Sequence, residues 1–436
     1  MNVINIITLG CAKNIVDSEH LAARCEARGY RVVFDSNRTN ADTVVINTCG
    51  FIGDAKVESI DTILRAAQLR QLGKIKHLYV IGCLSQRYAD ELRDEIPEVD
   101  DFFGARSLDE IIDRLGADHS VACSTQRSLS TPKHYAYLKI SEGCNWRCGY
   151  CAIPLIRGKH ISVPMPQLLE EARALAAKGV RELIVIAQDT TYYGIDLYGE
   201  RRLAQLLEEL CRIDGIEWIR LHYAYPTDFP QEVIDVMARE PKICRYIDIP
   251  LQHISDNQLE KMHRRHTKRD ALSLIERLRA AIPDIAIRTT LLVGYPDETE
   301  EDFRELQEFV AEQRFERLGV FPYSEEEGTY SAERLSDNVP QEVKEQRADA
   351  IMRQQSEISR ELNAKRVGTV QRTIIDRREG DYYIGRSQYD SPEVDEEILI
   401  DAKGGRLLRG HFYDVRITEY DDYDLYGVIE KREQKR

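Results

Sequence analysis

The sequence has no stretch approaching the roughly eighteen consecutive apolar residues of a membrane span, and Met1 to Gly10 carries neither a basic leader nor a cleavage site. Those absences point to a cytoplasmic protein with no membrane partner. A positive balance is also missing: 60 Lys plus Arg stand against 75 Asp plus Glu, a net charge of −15. No general polyanion-binding surface follows, although net charge describes the whole field and leaves a local basic patch open. In a reducing compartment the ten cysteines stay mostly thiols, so clustered spacings speak for metal or redox chemistry and against a disulfide framework. The 436 residues are enough for two or three domains with separate cores.

What is present begins with Ser141-Glu-Gly-Cys144-Asn-Trp-Arg-Cys148-Gly-Tyr-Cys151, three thiols within eight residues, directly after the strand-like run Tyr135 to Ile140. A [4Fe–4S] cube normally takes one thiolate per iron, so three leave one iron open. Structural zinc is usually closed by a fourth nearby Cys or His, and the next His, His160, lies nine residues on. The ligand count favours the iron–sulfur cluster over zinc or plain core thiols.

Upstream, strand-like and helical runs alternate: Asn2 to Leu9, a helix from Asn14 to Arg28, Arg31 to Phe34, Thr43 to Asn47, a helix near Ala55 to Leu72, and His77 to Ile81. The alternation predicts an open parallel sheet wrapped by helices, with ligands outside the strand carboxyl ends. Three strands end in cysteine, at Cys11, Cys49 and Cys83, each with glycine beside it. On one sheet edge these thiols can converge on a second three-thiolate cluster; the bland alternative is three unrelated buried thiols. Cys25, Cys123, Cys211 and Cys244 lack such spacing and read as core thiols.

Cys-x-x-x-Cys-x-x-Cys with Tyr150 before the last Cys resembles the signature of radical S-adenosylmethionine (SAM) enzymes. Cys11-Ala-Lys-Asn-Ile-Val-Asp-Ser-Glu19 ahead of it is similar to the methylthiotransferase family, in the form of its RimO-type branch; the MiaB-like tRNA branch carries Gln-Met or a similar pair after the first Cys. Asp17-Ser-Glu19 also reads as an ordinary polar helix start. The resemblance implies two [4Fe–4S] clusters, one on Cys144, Cys148 and Cys151 that cleaves SAM to a 5′-deoxyadenosyl radical, and an auxiliary one on Cys11, Cys49 and Cys83 that carries the inserted sulfur. A second SAM supplies the methyl group, and a flavodoxin or ferredoxin-type donor supplies electrons. The substrate it implies is the β-carbon of an aspartate in small-subunit ribosomal protein uS12.

From Tyr135 to Ser324 the candidate strands are Tyr135 to Ile140, Glu182 to Ala187, Trp218 to Tyr223, Tyr246 to Pro250, Ile285 to Val293 and Arg317 to Pro322. Six are too few for a closed eight-stranded barrel, so a partial (β/α)6 barrel is expected, with function at the strand carboxyl ends. There the resemblance places SAM contacts at Tyr150, Gln188, Asp189, Gln252, Thr289, Gly294 and Tyr323. The basic run Lys261 to Arg269 reads as a solvated helix face, with His263 and His266 given no catalytic role.

A polar helix from Pro340 to Arg366 leads to five short strand-like runs: Val370 to Asp376, Tyr382 to Ser387, Glu397 to Ile400, Phe412 to Tyr420 and Leu425 to Glu430. They predict a small antiparallel β-barrel resembling a TRAM module. Residues 367–436 hold 12 Lys plus Arg and 16 Asp plus Glu, net −4, which suits a basic protein partner better than phosphate and leaves RNA binding open. The expected division is an α/β domain over 1–131, a radical SAM partial barrel with bridging helix over 132–366, and a TRAM-like barrel over 367–436. A tRNA methylthiotransferase and a non-catalytic iron–sulfur ribosome-assembly factor are the competing readings.

Overall fold

The computed structural model describes residues 2–36, 41–118 and 125–430. Val3–Thr8 (β1), Arg31–Phe34 (β2), Thr43–Thr48 (β3), His77–Gly82 (β4) and Asp101–Gly104 (β5) form a parallel sheet in the order β2-β1-β3-β4-β5. Alternation along the strands builds a core on each face. Ile4, Ile6, Val45, Tyr79 and Ile81 pack on Leu21, Ala22 and Cys25 of α1 (Ala12–Ala27) and on Ile111, Ile112 and Leu115 of α4 (Leu108–Leu115). Val44, Ile46, Leu78 and Val80 pack on Ile63, Ala66 and Ala67 of α2 (Gly53–Gln71) and on Leu84 and Leu92 of α3 (Cys83–Glu95). The fifth strand, α3 and α4 are additions to the sequence reading: Asp101-Phe-Phe-Gly104 is too short to show a period.

Tyr135–Lys139 (β6) is followed by a two-residue hairpin, Ser141–Glu142 (β7) with Ile161–Ser162 (β8). Then Glu182–Ile186 (β9), Trp218–Leu221 (β10), Ile243–Asp248 (β11), Ala286–Val293 (β12) and Arg317–Pro322 (β13) complete a six-stranded parallel sheet, β6-β9-β10-β11-β12-β13, open between its first and last strands. Its outer face packs on the surrounding helices through Leu138, Val185, Ile219, Ile247 and Leu291. The inner face is filled from both ends by other parts of the chain. Ala12, Ile15 and Val16 of α1 lie on Tyr135, Tyr137, Ile184, Ile186 and Tyr223, while Ile374, Tyr389 and Phe412 of the C-terminal module pack on Trp218, Cys244, Tyr246 and Ala286.

The helix Gln341–Ala364 runs along β13 and leads into a closed barrel of Val370–Glu379 (β14), Tyr382–Arg386 (β15), Ile398–Asp401 (β16), Phe412–Tyr420 (β17) and Leu425–Ile429 (β18). The order β14-β15-β16-β18-β17 contains one parallel pair, β16 with β18. The other four pairs are antiparallel, as expected, and the exception is topological: with an odd number of strands, directions cannot alternate all the way round a closed barrel.

β14, β15 and the segment after β15 seal the amino-terminal end of the partial barrel with buried charge. Glu182 receives Arg220 at 2.8 Å and Arg386 at 2.8 Å, and Arg386 also holds Asp376, which meets His134 at 2.7 Å. Arg317 pairs with Asp390 and with Glu396, and Ser391 meets His222 at 2.9 Å. Cys25 and Cys244 are buried thiols, as expected, and Cys211 is half-buried; Cys123 lies outside the described residues. No helix among the described residues is long and apolar enough to cross a membrane.

Candidate functional site

At the carboxyl edge of the first sheet, Cys11 caps α1, Cys49 follows β3 and Cys83 opens α3. Their strands, β1, β3 and β4, are consecutive in the sheet, about 4.8 Å apart. The glycines beside them are required by close approach. At Gly10 (φ +90°) a Cβ would lie 2.7 Å from Cys49 Cβ, and at Gly50 one would lie 2.7 Å from the Leu84 backbone. Asn14 ties the edge together, donating to the Leu9 carbonyl at 2.8 Å and the Thr48 carbonyl at 3.1 Å.

The second trio sits in a loop fixed by its backbone. Cys144 N–H donates to the Gly158 carbonyl at 3.0 Å, Gly149 N–H to Met262 at 2.8 Å, and Ser331 N–H to Gly149 at 2.9 Å. Gly143 (φ +77°) admits no side chain, since a Cβ would stand 2.1 Å from the Lys159 carbonyl oxygen. Cys144, Cys148 and Cys151 line a cavity of about 690 Å³ together with Asn145, Leu155 and Tyr330. Trp146 stacks on Tyr225 at 4.3 Å between ring centres and donates to Asp189 Oδ2 at 2.7 Å.

The two trios adjoin. Cys83 packs on Ala152, the neighbour of Cys151, and on Ile156. Arg157, 2% exposed, reaches from the second loop to the first edge: one nitrogen contacts Cys83 Sγ at 3.5 Å and Asn14 Oδ1 at 2.5 Å, the other Asp17 at 2.9 Å and Glu142 at 3.1 Å. Burial alone would raise the Glu142 carboxyl, but Lys139 and Arg157 outweigh it and hold it at about 2. Burial pushes the Cys83 thiol up to about 11 and the Cys144 thiol up to about 12. Metal ligation must therefore displace their protons, and the guanidinium beside Cys83 favours the thiolate.

Among the described residues no three His, Cys, Asp or Glu side chains converge closely enough for one metal ion. Mononuclear zinc requires such convergence, whereas a cube takes its thiolates on different irons, around its outside.

The other positions singled out in the sequence divide by what they touch. Tyr150 packs on Met262, Tyr295 and Tyr323, with its hydroxyl 3.5 Å from Arg264. Gln188 donates to Glu142 at 2.8 Å. Asp189 is a loop bracket, accepting from Trp146, Thr191 N–H at 2.8 Å and Tyr225 N–H at 3.3 Å. Gln252 stands at φ +72° and bridges by its backbone to Thr290 and Leu292. Thr289 is fully buried and donates to the Ile249 carbonyl at 2.9 Å; burial alternates along β12, and Thr289 shares the helix-facing side with Leu291, while Thr290 takes the other. Gly294 (φ +71°) donates to Glu298, which meets His253 at 3.1 Å and Arg347 of the long helix at 2.6 Å. Tyr323 is buried against Tyr295 and beneath Lys344.

Arg264 overturns the solvated-face reading of its basic run, which is a turn rather than a helix face. It is 8% exposed, lies 4.2 Å over the Tyr225 ring, donates to the Pro250 carbonyl at 2.6 Å and approaches Cys148 Sγ at 3.7 Å. His266 is buried too, and burial followed by Arg264 depresses it to about 3. Arg264→Met is expected to destabilise the chain by about 2–4 kcal/mol through the lost charged hydrogen bond and ring contact, read by urea unfolding. Asp17-Ser-Glu19 also does more than start a helix. Glu19 holds Arg127 at 3.0 Å and Ser130 N–H at 2.7 Å, so it locks the first sheet to the barrel. Neither position was distinguishable in sequence from ordinary surface charge.

Comparison with known proteins decides the family. Residues 138–310 match the radical SAM superfamily, 3–104 the uncharacterized protein family UPF0004, and 367–429 the TRAM domain. The ribosomal protein uS12 methylthiotransferase RimO of Phocaeicola vulgatus is 54% identical over 98% of this chain and 99% of its own, and that of Bacteroides thetaiotaomicron 53% over 98% of each. The chain belongs to the RimO family of methylthiotransferases. It is a radical SAM enzyme with a TRAM module at its carboxyl end. The radical SAM methyltransferase TsrM of Kitasatospora setae, 15% identical with a TM-score of 0.54 over 74% of this chain and 72% of that one, shares the fold.

Proposed function

We propose that the chain adds a methylthio group to the β-carbon of an aspartate in ribosomal protein uS12. The observation that carries this is the joining of two three-thiol sites in a chain whose relatives, 50–54% identical over its length, are uS12 methylthiotransferases. Cys144, Cys148 and Cys151 would hold the SAM-binding [4Fe–4S] cluster, and Cys11, Cys49 and Cys83 the auxiliary one. With SAM bound, the first supplies a hydrogen-abstracting radical and the second the sulfur, the hard chemistry being the cofactors' own. The protein's share is placement. Arg157 and Asn14 fix the Cys83 edge against the second loop, and Trp146, Tyr225 and Arg264 wall the Cys148 side. Tyr150, Gln188, Asp189, Gln252, Thr289, Gly294 and Tyr323 are the proposed SAM-side residues, Asp189 and Thr289 by shaping loops, since their polar atoms are engaged within the protein.

The segments 1–131, 132–366 and 367–436 then serve the auxiliary cluster, the radical chemistry and substrate docking. In the last, Arg372, Arg377, Arg386 and Arg416 are paired with Glu217, Glu397, Glu182 and Glu430. These four are committed within the protein, and the net charge of −4 over 367–436 supports a basic protein partner over RNA. A flavodoxin or ferredoxin-type donor and a cytoplasmic setting complete the proposal. Deleting the gene should remove a mass increment of about 46 Da, one hydrogen replaced by a methylthio group, from an aspartate-containing uS12 peptide. Loss of a tRNA modification with uS12 unchanged would reverse the assignment.

A further inference from the structure

Lys13 is the odd cation of the site. It is 9% exposed, two residues after Cys11 on the helix that fills the partial barrel, and its ammonium rests 3.2 Å from the centre of the Tyr223 ring. Among the described residues nothing forms an ion pair or hydrogen bond with that ammonium. The carboxylates whose charge it feels are committed elsewhere. Asp248 holds Arg288 at 3.1 Å and accepts from Tyr223 N–H at 3.4 Å. Glu142 holds Lys139 at 2.6 Å and Arg157 at 3.1 Å, and accepts from Gln188 at 2.8 Å. Of the charges around it Cys11 acts on it most strongly, ahead of Asp248 and Glu142, while Arg157 makes the direct contact with the thiol edge, at Cys83. Tyr223 is itself held in the left-handed region (φ +56°), with its carbonyl accepting from Thr190 N–H at 3.0 Å, which fixes the ring beneath the ammonium.

A buried ammonium with no hydrogen-bonding acceptor is costly unless something arrives to supply one. We propose that Lys13 reads the side-chain carboxylate of the substrate aspartate. The inference rests on the aspartate reading above and deepens it. The β-carbon is one bond from the carboxyl carbon, so a charge-assisted hydrogen bond of about 2.8 Å from Lys13 fixes that carbon beside the Cys11, Cys49 and Cys83 edge. An asparagine in the same place binds more weakly, because its amide oxygen accepts a hydrogen bond but brings no opposite charge.

The test uses the reconstituted full-length enzyme and two labelled peptides copying the uS12 segment around the target, one with aspartate and one with asparagine. By fluorescence anisotropy the wild type should prefer the aspartate peptide by roughly 10- to 100-fold. Lys13→Gln should abolish that preference while iron content and peptide-independent formation of 5′-deoxyadenosine stay at wild-type levels, and Lys13→Arg should retain it. Equal binding of the two peptides by the wild type overturns the proposal whatever the variants do. So does a Lys13→Gln enzyme that loses iron yet keeps the preference, the outcome of a purely cluster-facing lysine. A wild type that prefers aspartate but forms no methylthio product upholds the lysine's role and refutes the assigned reaction alone.

Discussion

Glu182→Ala should destabilise the junction between the partial barrel and the C-terminal module by about 3–5 kcal/mol, because it removes the carboxylate shared by two buried guanidiniums, leaving Arg220 with backbone carbonyls alone and Arg386 with Asp376. Glu182 and Arg220 are fully buried and Arg386 is 2% exposed, so water cannot replace the lost carboxylate. The expected signature is partial: cleavage within 367–430 under limited proteolysis before the rest of the chain opens, and a first unfolding transition moved to lower urea. Acid should act on the same contact. Burial by itself would raise Asp376 from its ordinary 3.8, but Arg386 and the hydrogen bonds from His134 and Arg386 outweigh it and hold the carboxyl at about 2. A depressed carboxyl contributes stability that is complete above its unfolded value and is lost as pH falls through its folded one. The module should therefore stay docked above about pH 4 and loosen toward pH 2. A junction indifferent to both changes would mean that the module is held by the apolar contacts of Trp218, Tyr246, Ile374 and Phe412 alone.

Strand periodicity carried most of the architecture, and the places where it failed have physical causes. All six partial-barrel strands were legible because each is an apolar run bounded by polar turns, although β11 begins at Ile243, three residues before its expected start. The five C-terminal strands were legible as well, but not their order, which depends on barrel closure. The thiols could be grouped from sequence, since spacing and strand ends are local properties. What local pattern could not reveal was commitment: Arg157, Arg264 and Glu19 look like any surface charge until partners from 15, 116 and 108 residues away in sequence arrive. Thr289 was the converse case. Its place on a strand leading to the site was legible, but its side faces the helices, and a one-residue difference in phase decides that.

Removing either thiol trio should split the chemistry in two. With both clusters reconstituted anaerobically the chain should bind about eight irons. Replacing Cys144, Cys148 and Cys151 together by Ala should leave about four and abolish SAM cleavage. Replacing Cys11, Cys49 and Cys83 should also leave about four, yet 5′-deoxyadenosine should still form while methylthio product disappears. The separation is expected because neither loop depends on its sulfurs for shape. The Cys144 loop hangs on Gly158, Met262 and Ser331 through backbone hydrogen bonds. On the other edge, Cys49 N–H donates to Ser59 Oγ at 3.1 Å, and Asn14 holds the Leu9 and Thr48 carbonyls. Retention of all the iron in either triple variant would mean that the thiols are not the ligands. Zinc bound in place of iron would make both edges scaffolds, and the adjacency of Cys83 to Ala152 would then serve packing rather than sulfur insertion.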